Sequence, residues 1–348
     1  MSITQAFDFI VQWHLTERCN LQCKHCYQTG TDARELTVKE VKSGLDELAE
    51  TFSVWADNYD IAFMPSMNVT GGEPFLYDQL SHVLEYMKKK GFDIYILSNG
   101  TLITKEKAKQ ISNIGIRGVQ VSIEGPEDIH IKIRGKNSFT SALRGVGRLL
   151  DAGLEVTLNT TLSDINADHL MDMKDLAVSL GVQRMGFSRL VPSGRGSSML
   201  GNMLETDKVK QLYNAAKKLK VEGLEIVTGD PVASRMFLDF EGEDEGSIPM
   251  SGCSAGVSGI TILPDGTFVP CRRLPVQLGN ITRDSFREIW ATSPALNKLR
   301  DRKSYKGKCR RCSKWASCRG CRAIAYAYSQ AKGENDILAE EPQCFLYS

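Results

Sequence analysis

The chain has 348 residues, enough for about two domains, and its 43 lysines and arginines nearly balance its 42 aspartates and glutamates. This balance gives no overall field that would favour nucleic acid or an anionic membrane, and no window approaches the ~18 consecutive apolar residues that a transmembrane helix needs. The first residues lack a basic and apolar signal segment, so the ten cysteines of a cytoplasmic protein indicate metal or redox chemistry rather than disulfides.

Short β-branched runs alternate with helical patterns from about residue 8 to residue 191, and the unit repeats six times. Thr37 and Glu40 form a capping-box pattern ahead of an apolar helical stripe. Gly115 and Gly181 stand where a helix would end before the next strand. Right-handed crossovers between such units predict a parallel sheet, which suits either an open barrel or a doubly wound fold.

Polar residues follow the predicted strands at the points where the strands end. They are Cys19, Cys23 and Cys26 after the first strand, Gly71, Gly72 and Glu73 after the second, Ser98 and Asn99 after the third, Ser122 and Glu124 after the fourth, and Asn159 and Thr161 after the fifth. The carboxyl ends of parallel strands meet at one face, where barrels of this kind carry their chemistry. We therefore predict an α/β chain whose residues 1–200 form a partial (β/α)6 barrel of the TIM type.

The rest of the chain has a different composition. Residues 201–250 are predicted to be a connector, and residues 251–348 a cysteine-rich domain. Its cysteines are Cys253, Cys271, Cys309, Cys312, Cys318, Cys321 and Cys344. The last run before the carboxyl end has the spacing C-x2-C-x5-C-x2-C, which alone is typical of a zinc ribbon or of an iron-sulfur loop.

Three cysteines and a histidine crowd into the segment "CNLQCKHC" at residues 19–26. Three thiolates leave one iron of a four-iron cluster without a protein ligand, and such a position invites a ligand from outside the protein. A structural zinc site is an alternative, with His25 or His14 as the fourth ligand. A helical face of packed thiols is disfavoured, because Asn20 and Lys24 lie within the same segment.

The spacing C-x3-C-x2-C directly after the first strand, together with "TGGEP" at residues 70–74, resembles the radical S-adenosylmethionine superfamily. The resemblance implies a 4Fe-4S cluster on Cys19, Cys23 and Cys26, with S-adenosylmethionine at the open iron position. One electron would cleave the sulfonium to a 5'-deoxyadenosyl radical, which abstracts a hydrogen atom from the substrate. His25 stands where the family commonly has an aromatic residue.

The same resemblance implies S-adenosylmethionine contacts in "TGGEP", "LSNGT", "VSIEG" and "IRGKNSF". The candidate residues are Gly71, Gly72, Glu73, Ser98, Asn99, Ser122, Glu124 and Arg134. Gly71 and Gly72 would let the backbone approach the ligand, and Glu73 would receive its ammonium group. Arg134 would pair bidentately with the methionine carboxylate. An ordinary turn at Asn99 and a surface position for Arg134 are the structural alternatives.

Cys253, Gly266 and Cys271 add a C-x12-G-x4-C pattern upstream of the last cysteines, and the whole tail then resembles the SPASM domain, which holds auxiliary iron-sulfur clusters. The resemblance assigns Cys309, Cys312, Cys318 and Cys344 to an outer cluster and leaves Cys253, Cys271 and Cys321 for an inner cluster. Two fully ligated clusters need eight protein ligands, so the inner cluster is predicted to have an open or non-cysteine position. Zinc remains an alternative occupant of the tail.

SPASM-bearing relatives mostly modify peptides or proteins, so the resemblance implies a peptide or protein substrate. Its partners would be a flavodoxin or ferredoxin as electron donor and a separate leader-peptide-binding protein. Arg272 and Arg273 favour an alternative substrate, the carboxylate side chains of a tetrapyrrole, which the enzyme would decarboxylate. Maturation of a metalloenzyme cofactor is a further alternative, and a non-enzymatic zinc scaffold that binds nucleic acid is the alternative of another class.

Overall fold

The computed structural model describes residues 6–30, 33–233, 249 and 251–346. Most of the charged part of the predicted connector, residues 234–248, lies outside the described residues, as does residue 250. None of the helices in the described residues combines the length and the apolar character that crossing a bilayer requires.

Ten strands form one mixed sheet in the described part of the chain. In chain order they are β1 (Ala6–His14), β2 (Ala62–Thr70), β3 (Asp93–Ser98), β4 (Gly118–Ser122), β5 (Glu155–Leu162), β6 (Arg184–Arg189), β7 (Glu225–Val227), β8 (Gly259–Ile262), β9 (Thr267–Val269) and β10 (Gly279–Asn280). Across the sheet the order is β10-β9-β8-β1-β2-β3-β4-β5-β6-β7. Strands β1 to β7 lie in chain order across the sheet and are all parallel, and β8 pairs in parallel with β1 on its other side. Strand β9 is antiparallel to both β8 and β10. The six predicted parallel strands are therefore confirmed as β1 to β6.

Helices connect the parallel strands as the periodic patterns predict. The α-helices are α1 (Val38–Tyr59), α2 (Leu80–Lys89), α3 (Lys105–Ile114), α4 (Glu127–Arg134), α5 (Ser138–Asp151), α6 (Leu170–Leu180), α7 (Thr206–Lys218), α8 (Phe286–Thr292), α9 (Pro294–Arg300), α10 (Gly307–Arg311) and α11 (Arg322–Ala331). Helix α1 begins at the predicted capping box, in which Thr37 accepts from the Glu40 N–H and Glu40 accepts from the Thr37 N–H. Gly115 ends α3 at a φ of 76°, a left-handed conformation that costs glycine little.

The apolar core fills the space between the parallel strands and the helices outside them. Val119, Val121, Val156 and Leu158 on the adjacent strands β4 and β5 are fully buried. Burial of each such side chain contributes about 1.5–3 kcal/mol. Intervening residues of β5 face the opposite side and are half-buried, so that this side of the sheet is free to line a site.

The cysteine-rich tail shares the sheet and the core of the barrel strands. Strand β8 pairs in parallel with β1, so the sheet continues across the boundary predicted at residue 251. Phe9 of β1 packs against Phe286 and Trp290 of α8, with ring centroids 6.1 and 5.0 Å apart. Glu47 of α1 accepts from the Phe286 N–H at 2.9 Å. The architecture is thus the predicted α/β fold with a cysteine-rich carboxyl-terminal region, and α1 and β1 hold that region in place.

Candidate functional site

The loop after β1 brings three thiols to the carboxyl end of the sheet. Cys19, Cys23 and Cys26 all line one open cavity of about 920 Å³. The Lys24 N–H donates to the carbonyl oxygen of Ile133 near the end of α4 at 2.9 Å, which fixes the middle of the loop. The three thiols therefore face a shared space that the polypeptide leaves open.

These thiols would have to be deprotonated to hold an iron-sulfur cluster, because a cluster is bound by thiolates. Desolvation raises the pKa of Cys19 to about 11, and it also raises the pKa of Cys23. Among the described residues, no three His, Cys, Asp or Glu side chains converge on one point where a single metal ion would bind. A four-iron cluster does not need its ligands to converge on one point, because each of three irons would take one thiolate and the fourth would stay open.

Gly71 and Gly72 lie against the cysteine loop itself. A Cβ atom at Gly71 would stand 2.4 Å from the carbonyl oxygen of Thr16, and one at Gly72 would stand 2.2 Å from that of Arg18. The Gly72 N–H donates to the Thr16 carbonyl oxygen at 2.7 Å. Both glycines line the cavity, and each also lies so close to the backbone of the cysteine loop that a side chain there would collide with it.

Glu73 lies behind the cavity wall rather than on it. Its fully buried carboxylate accepts from the Ser98 hydroxyl and the Asn99 N–H, both at 2.8 Å, and from the Phe75 N–H at 3.2 Å. Burial raises the pKa of Glu73 against the opposing effect of these hydrogen bonds. The sequence predicts that Glu73 meets an ammonium group directly. In the structure its carboxylate oxygens instead hold the end of β3 in place.

Glu124 also lies behind the cavity wall, where Arg134 and His25 both contact its carboxylate. Arg134 Nε donates to Glu124 Oε1 at 2.8 Å, and His25 Nε2 lies 3.1 Å from the same oxygen. Burial alone would raise the pKa of Glu124, but Arg134 and His25 outweigh it and hold that pKa well below its usual value. Arg134 Nη1 lies 3.7 Å from Cys23 Sγ. Arg134 is therefore already paired with Glu124 and reaches the cysteine loop, a role that its predicted pairing with a methionine carboxylate did not include.

The remaining predicted contacts share the cavity with the thiols. The predicted residues that line it are Gly71, Gly72, Ser98, Asn99, Ser122 and Arg134. Asn99 Nδ2 donates to Asn20 Oδ1 at 3.0 Å, so the third strand end is tied to the cysteine loop. Arg195 also lines the cavity, and no pattern in the segment "PSGRGSS" predicts this position.

Arg272 and Arg273 join this cavity to two others. Both residues line the thiol cavity. They also line a second cavity of about 1430 Å³, which residues of the sheet strands surround, and a third cavity of about 1400 Å³. Arg272 donates to Gln12 Oε1 at 2.5 Å and stacks over the Tyr27 ring at 5.5 Å. Neither arginine forms an ion pair with an Asp or Glu among the described residues. Two half-buried guanidinium groups therefore face the cavities without a carboxylate partner from the described part of the chain.

The tail cysteines fall into two groups in space. Cys309, Cys312, Cys318 and Cys344 line one small cavity, and Cys253, Cys271 and Cys321 line the 1430 Å³ cavity. This is the division into an outer and an inner set that the resemblance assigned. The inner set shares its cavity with Arg272 and Arg273, so it lies between the tail and the barrel interior.

Glu341 connects the two sets of tail cysteines. Its Oε2 accepts from the Cys321 N–H at 2.7 Å, and its own N–H donates to Cys309 Sγ at 3.4 Å. This role cannot be predicted from the segment "LAEEPQC", because no pattern in it distinguishes a buried glutamate from an exposed one. The contact pairs residues that lie far apart in the chain, which periodicity cannot predict.

Two parts of the chain match known family models. Residues 13–177 match the model of the radical SAM superfamily, and residues 253–313 match that of SPASM, an iron-sulfur cluster-binding domain. The first range contains the three-cysteine loop and the ends of β2 to β5. The second contains the start of the cysteine-rich region.

Two curated relatives are similar along most of their length. The chain is 31% identical over 357 residues to an AdoMet-dependent heme synthase of Methanosarcina barkeri (strain Fusaro), with 96% of this chain and 95% of the relative covered. It is 29% identical over 327 residues to the mycofactocin maturase MftC of Mycolicibacterium smegmatis, with 90% of this chain and 78% of the relative covered.

Among solved structures, the fold is similar to that of SuiB from Streptococcus suis bound to its precursor peptide SuiA. The TM-score is 0.73 at 15% sequence identity, and the similarity covers 98% of this chain and 76% of SuiB. At that level of identity the similarity concerns the fold alone.

Proposed function

Because the chain belongs to the radical SAM superfamily and carries a SPASM domain, we propose that it removes carboxylate groups from the propionate side chains of a tetrapyrrole. The chain is a radical S-adenosylmethionine enzyme. Membership in this family argues against the alternative of a non-enzymatic zinc scaffold. The residues beside the cofactor cavity favour one class of substrate.

The observation that carries this proposal is the Arg272 and Arg273 pair. Both side chains line the cavity of the thiols and the two cavities that adjoin it. Guanidinium groups bind carboxylates bidentately, and a half-buried cation without an anionic partner favours a ligand that brings one. A substrate carboxylate held there would lie beside the cofactor cavity. The full-length similarity to an AdoMet-dependent heme synthase supports a tetrapyrrole as the molecule that bears it.

The residues around the cavity fit the cofactors of the family. Cys19, Cys23 and Cys26 would hold a 4Fe-4S cluster, and the strand ends at Ser98 and Ser122 would contact S-adenosylmethionine. When bound, these groups supply a 5'-deoxyadenosyl radical that takes one hydrogen atom from the substrate. The chain's own contribution is to bind the substrate carboxylate at Arg272 and Arg273 and to present the adjoining carbon to the cavity.

The proposed reaction balances in atoms and electrons. A propionate side chain loses one hydrogen atom to the 5'-deoxyadenosyl radical, which becomes 5'-deoxyadenosine, and loses its carboxylate as CO2, so that a vinyl group remains. Loss of CO2 releases one electron, which equals the electron consumed when S-adenosylmethionine is cleaved. A one-electron carrier of the flavodoxin or ferredoxin class would supply the first electron and could receive the second. An auxiliary cluster held by Cys253, Cys271 and Cys321 would lie in a cavity that Arg272 and Arg273 also line.

The test is anaerobic turnover of the reconstituted enzyme with S-adenosylmethionine, a chemical reductant and an iron porphyrin that carries four propionates. We expect 5'-deoxyadenosine together with a porphyrin that has lost carboxyl groups, detected by mass spectrometry. Arg272→Gln combined with Arg273→Gln should lower decarboxylation at least about tenfold, which corresponds to one lost charge-assisted contact. Exposed Arg287→Gln on α8 is the matched control. Formation of 5'-deoxyadenosine with the porphyrin left intact would contradict the proposal.

Peptide or protein modification is the second candidate function. It is supported by the mycofactocin maturase relative and by the fold similarity to SuiB with its precursor peptide. A separate leader-peptide-binding protein would then be a partner. Incubation with short peptides encoded beside the gene, followed by mass spectrometry, distinguishes the two candidates, because a peptide substrate would change in mass while the porphyrin would not.

A further inference from the structure

The third cavity, of about 1400 Å³, has a mixed lining in which several polar atoms lack a protein partner among the described residues. It lies between the 3-10 helix Gly194–Asn202 and helix α11. His14 Nδ1 and Nε2, Ser193 Oγ and Arg273 Nε are buried atoms without a hydrogen-bond partner among the described residues. Buried polar atoms are nearly always paired, so a group of unpaired ones around a cavity indicates a binding site.

His14 is the most deeply buried of these residues. Its side chain is 1% exposed, and the edge of its ring meets Tyr27 at a centroid distance of 5.9 Å. Burial, and then the charge of Arg272, lower the pKa of His14 to about 3. The imidazole is therefore neutral, with one nitrogen as donor and the other as acceptor. A histidine that binds a metal normally has its second nitrogen fixed by a protein group, and His14 has no such partner among the described residues.

The charges around this cavity favour an anion. Arg272 and Arg273 both line it, and Glu17 is the one carboxylate among its described lining residues. The Gln28 side-chain nitrogen lines this cavity and lacks a partner among the described residues. Three further unpaired donors are the guanidinium of Arg273, the hydroxyl of Ser193 and one ring N–H of His14. All three are groups that a carboxylate accepts from.

We infer that His14, Ser193 and Arg273 form a second carboxylate subsite, distinct from the side of the Arg272 and Arg273 pair that faces the thiols. The inference rests on the proposed function and deepens it, because it requires a substrate with at least two carboxylates. One carboxylate lies beside the cofactor cavity while the other lies in the third cavity. A ring with several propionates meets this requirement, and the second contact fixes which propionate faces the radical.

The test is equilibrium binding of a metal-free porphyrin with four propionates to the anaerobically reconstituted enzyme, followed by porphyrin fluorescence. The tetramethyl ester of the same porphyrin keeps the ring and removes every carboxylate. We expect His14→Phe to weaken binding of the acid at least about tenfold and Ser193→Ala to weaken it several-fold. Neither variant should change the weaker binding of the ester. His14→Gln keeps a donor and should bind the acid nearly as wild type does.

The controls separate the possible failures. His82→Phe, at an exposed histidine of α2, should bind both porphyrins as wild type does. Wild-type binding of the acid in His14→Phe, or an equal loss of acid and ester, would overturn the second subsite and leave the proposed function standing. A Soret shift with the iron porphyrin that His14→Phe abolishes would show metal ligation instead and would also overturn it. Binding of neither porphyrin by the wild-type enzyme would overturn the proposed substrate itself.

Discussion

Arg189 at the end of β6 and Glu341 in the carboxyl-terminal segment form a buried ion pair, with Arg189 Nη1 donating to Glu341 Oε1 at 3.0 Å. Arg189 also makes a two-nitrogen contact with Asp230, at 2.7 and 2.9 Å. Because Glu341 accepts from the Cys321 N–H and donates to Cys309 Sγ, one arginine of the barrel is linked through it to both sets of tail cysteines.

Removal of Arg189 should therefore destabilise the chain strongly. Arg189→Met leaves the carboxylates of Asp230 and Glu341 buried without their cation, and breaking a buried pair in this way costs about 3–5 kcal/mol. Arg184→Met is a matched control on the same strand, because Arg184 pairs with Glu225 at a partly exposed site and should cost less than about 1 kcal/mol. Anaerobic denaturant unfolding measures both. A similar cost for the two variants would contradict the role of Arg189.

The sequence predicts the parts of this site that follow local rules. The strand-end rule places Cys19, Ser98 and Ser122 on one cavity because parallel strands end at a common face. The rule does not predict the direction in which a carboxylate side chain points. It therefore places Glu73 and Glu124 on the cavity wall, whereas both are buried behind that wall. Their positions depend on buried partners such as Arg134, and those contacts form only when separate strand ends meet.

The tail shows the same division between local pattern and long-range contact. Cysteine spacing, with the family resemblance, sorts the seven tail cysteines into the two sets that the cavities contain. The pairing of β8 with β1 and the link from Arg189 to Glu341 join residues that are distant in sequence. Such contacts leave no periodic pattern in the sequence, so they cannot be predicted from one sequence alone.

Gly72 should not accept a side chain. A Cβ atom there would stand 2.2 Å from the Arg18 carbonyl oxygen, a contact that forces the backbone of the cysteine loop to move. Gly72→Ala should cost at least about 1–3 kcal/mol and lower binding of S-adenosylmethionine. Gly147→Ala in α5 meets no atom within 4 Å and should be neutral or stabilising. Unfolding and equilibrium dialysis measure the two effects, and wild-type stability of Gly72→Ala would show that the loop yields easily.

Replacing Cys19, Cys23 and Cys26 together by alanine should abolish reductive cleavage of S-adenosylmethionine. The tail cysteines line separate cavities, so iron bound there should remain. The measurements are 5'-deoxyadenosine formation under anaerobic reduction and iron content per chain. Continued formation of 5'-deoxyadenosine by the triple variant would refute the assignment of these ligands, whereas loss of all iron would show that the tail does not load independently.

His14 should give the chain a pH dependence that can be measured. Burial and the charge of Arg272 lower the pKa of His14 to about 3, whereas an unfolded chain titrates near 6.5. Between these values the unfolded state binds a proton that the folded state excludes, so stability falls as pH falls below about 6.5, by at most about 1.4 kcal/mol per unit. His14→Phe cannot titrate and should lose this part of the slope between about pH 6.5 and 5.5, whereas His82→Phe should keep it. Anaerobic denaturant unfolding at both pH values measures the slopes, and equal slopes in wild type and His14→Phe would show that the imidazole is not held neutral.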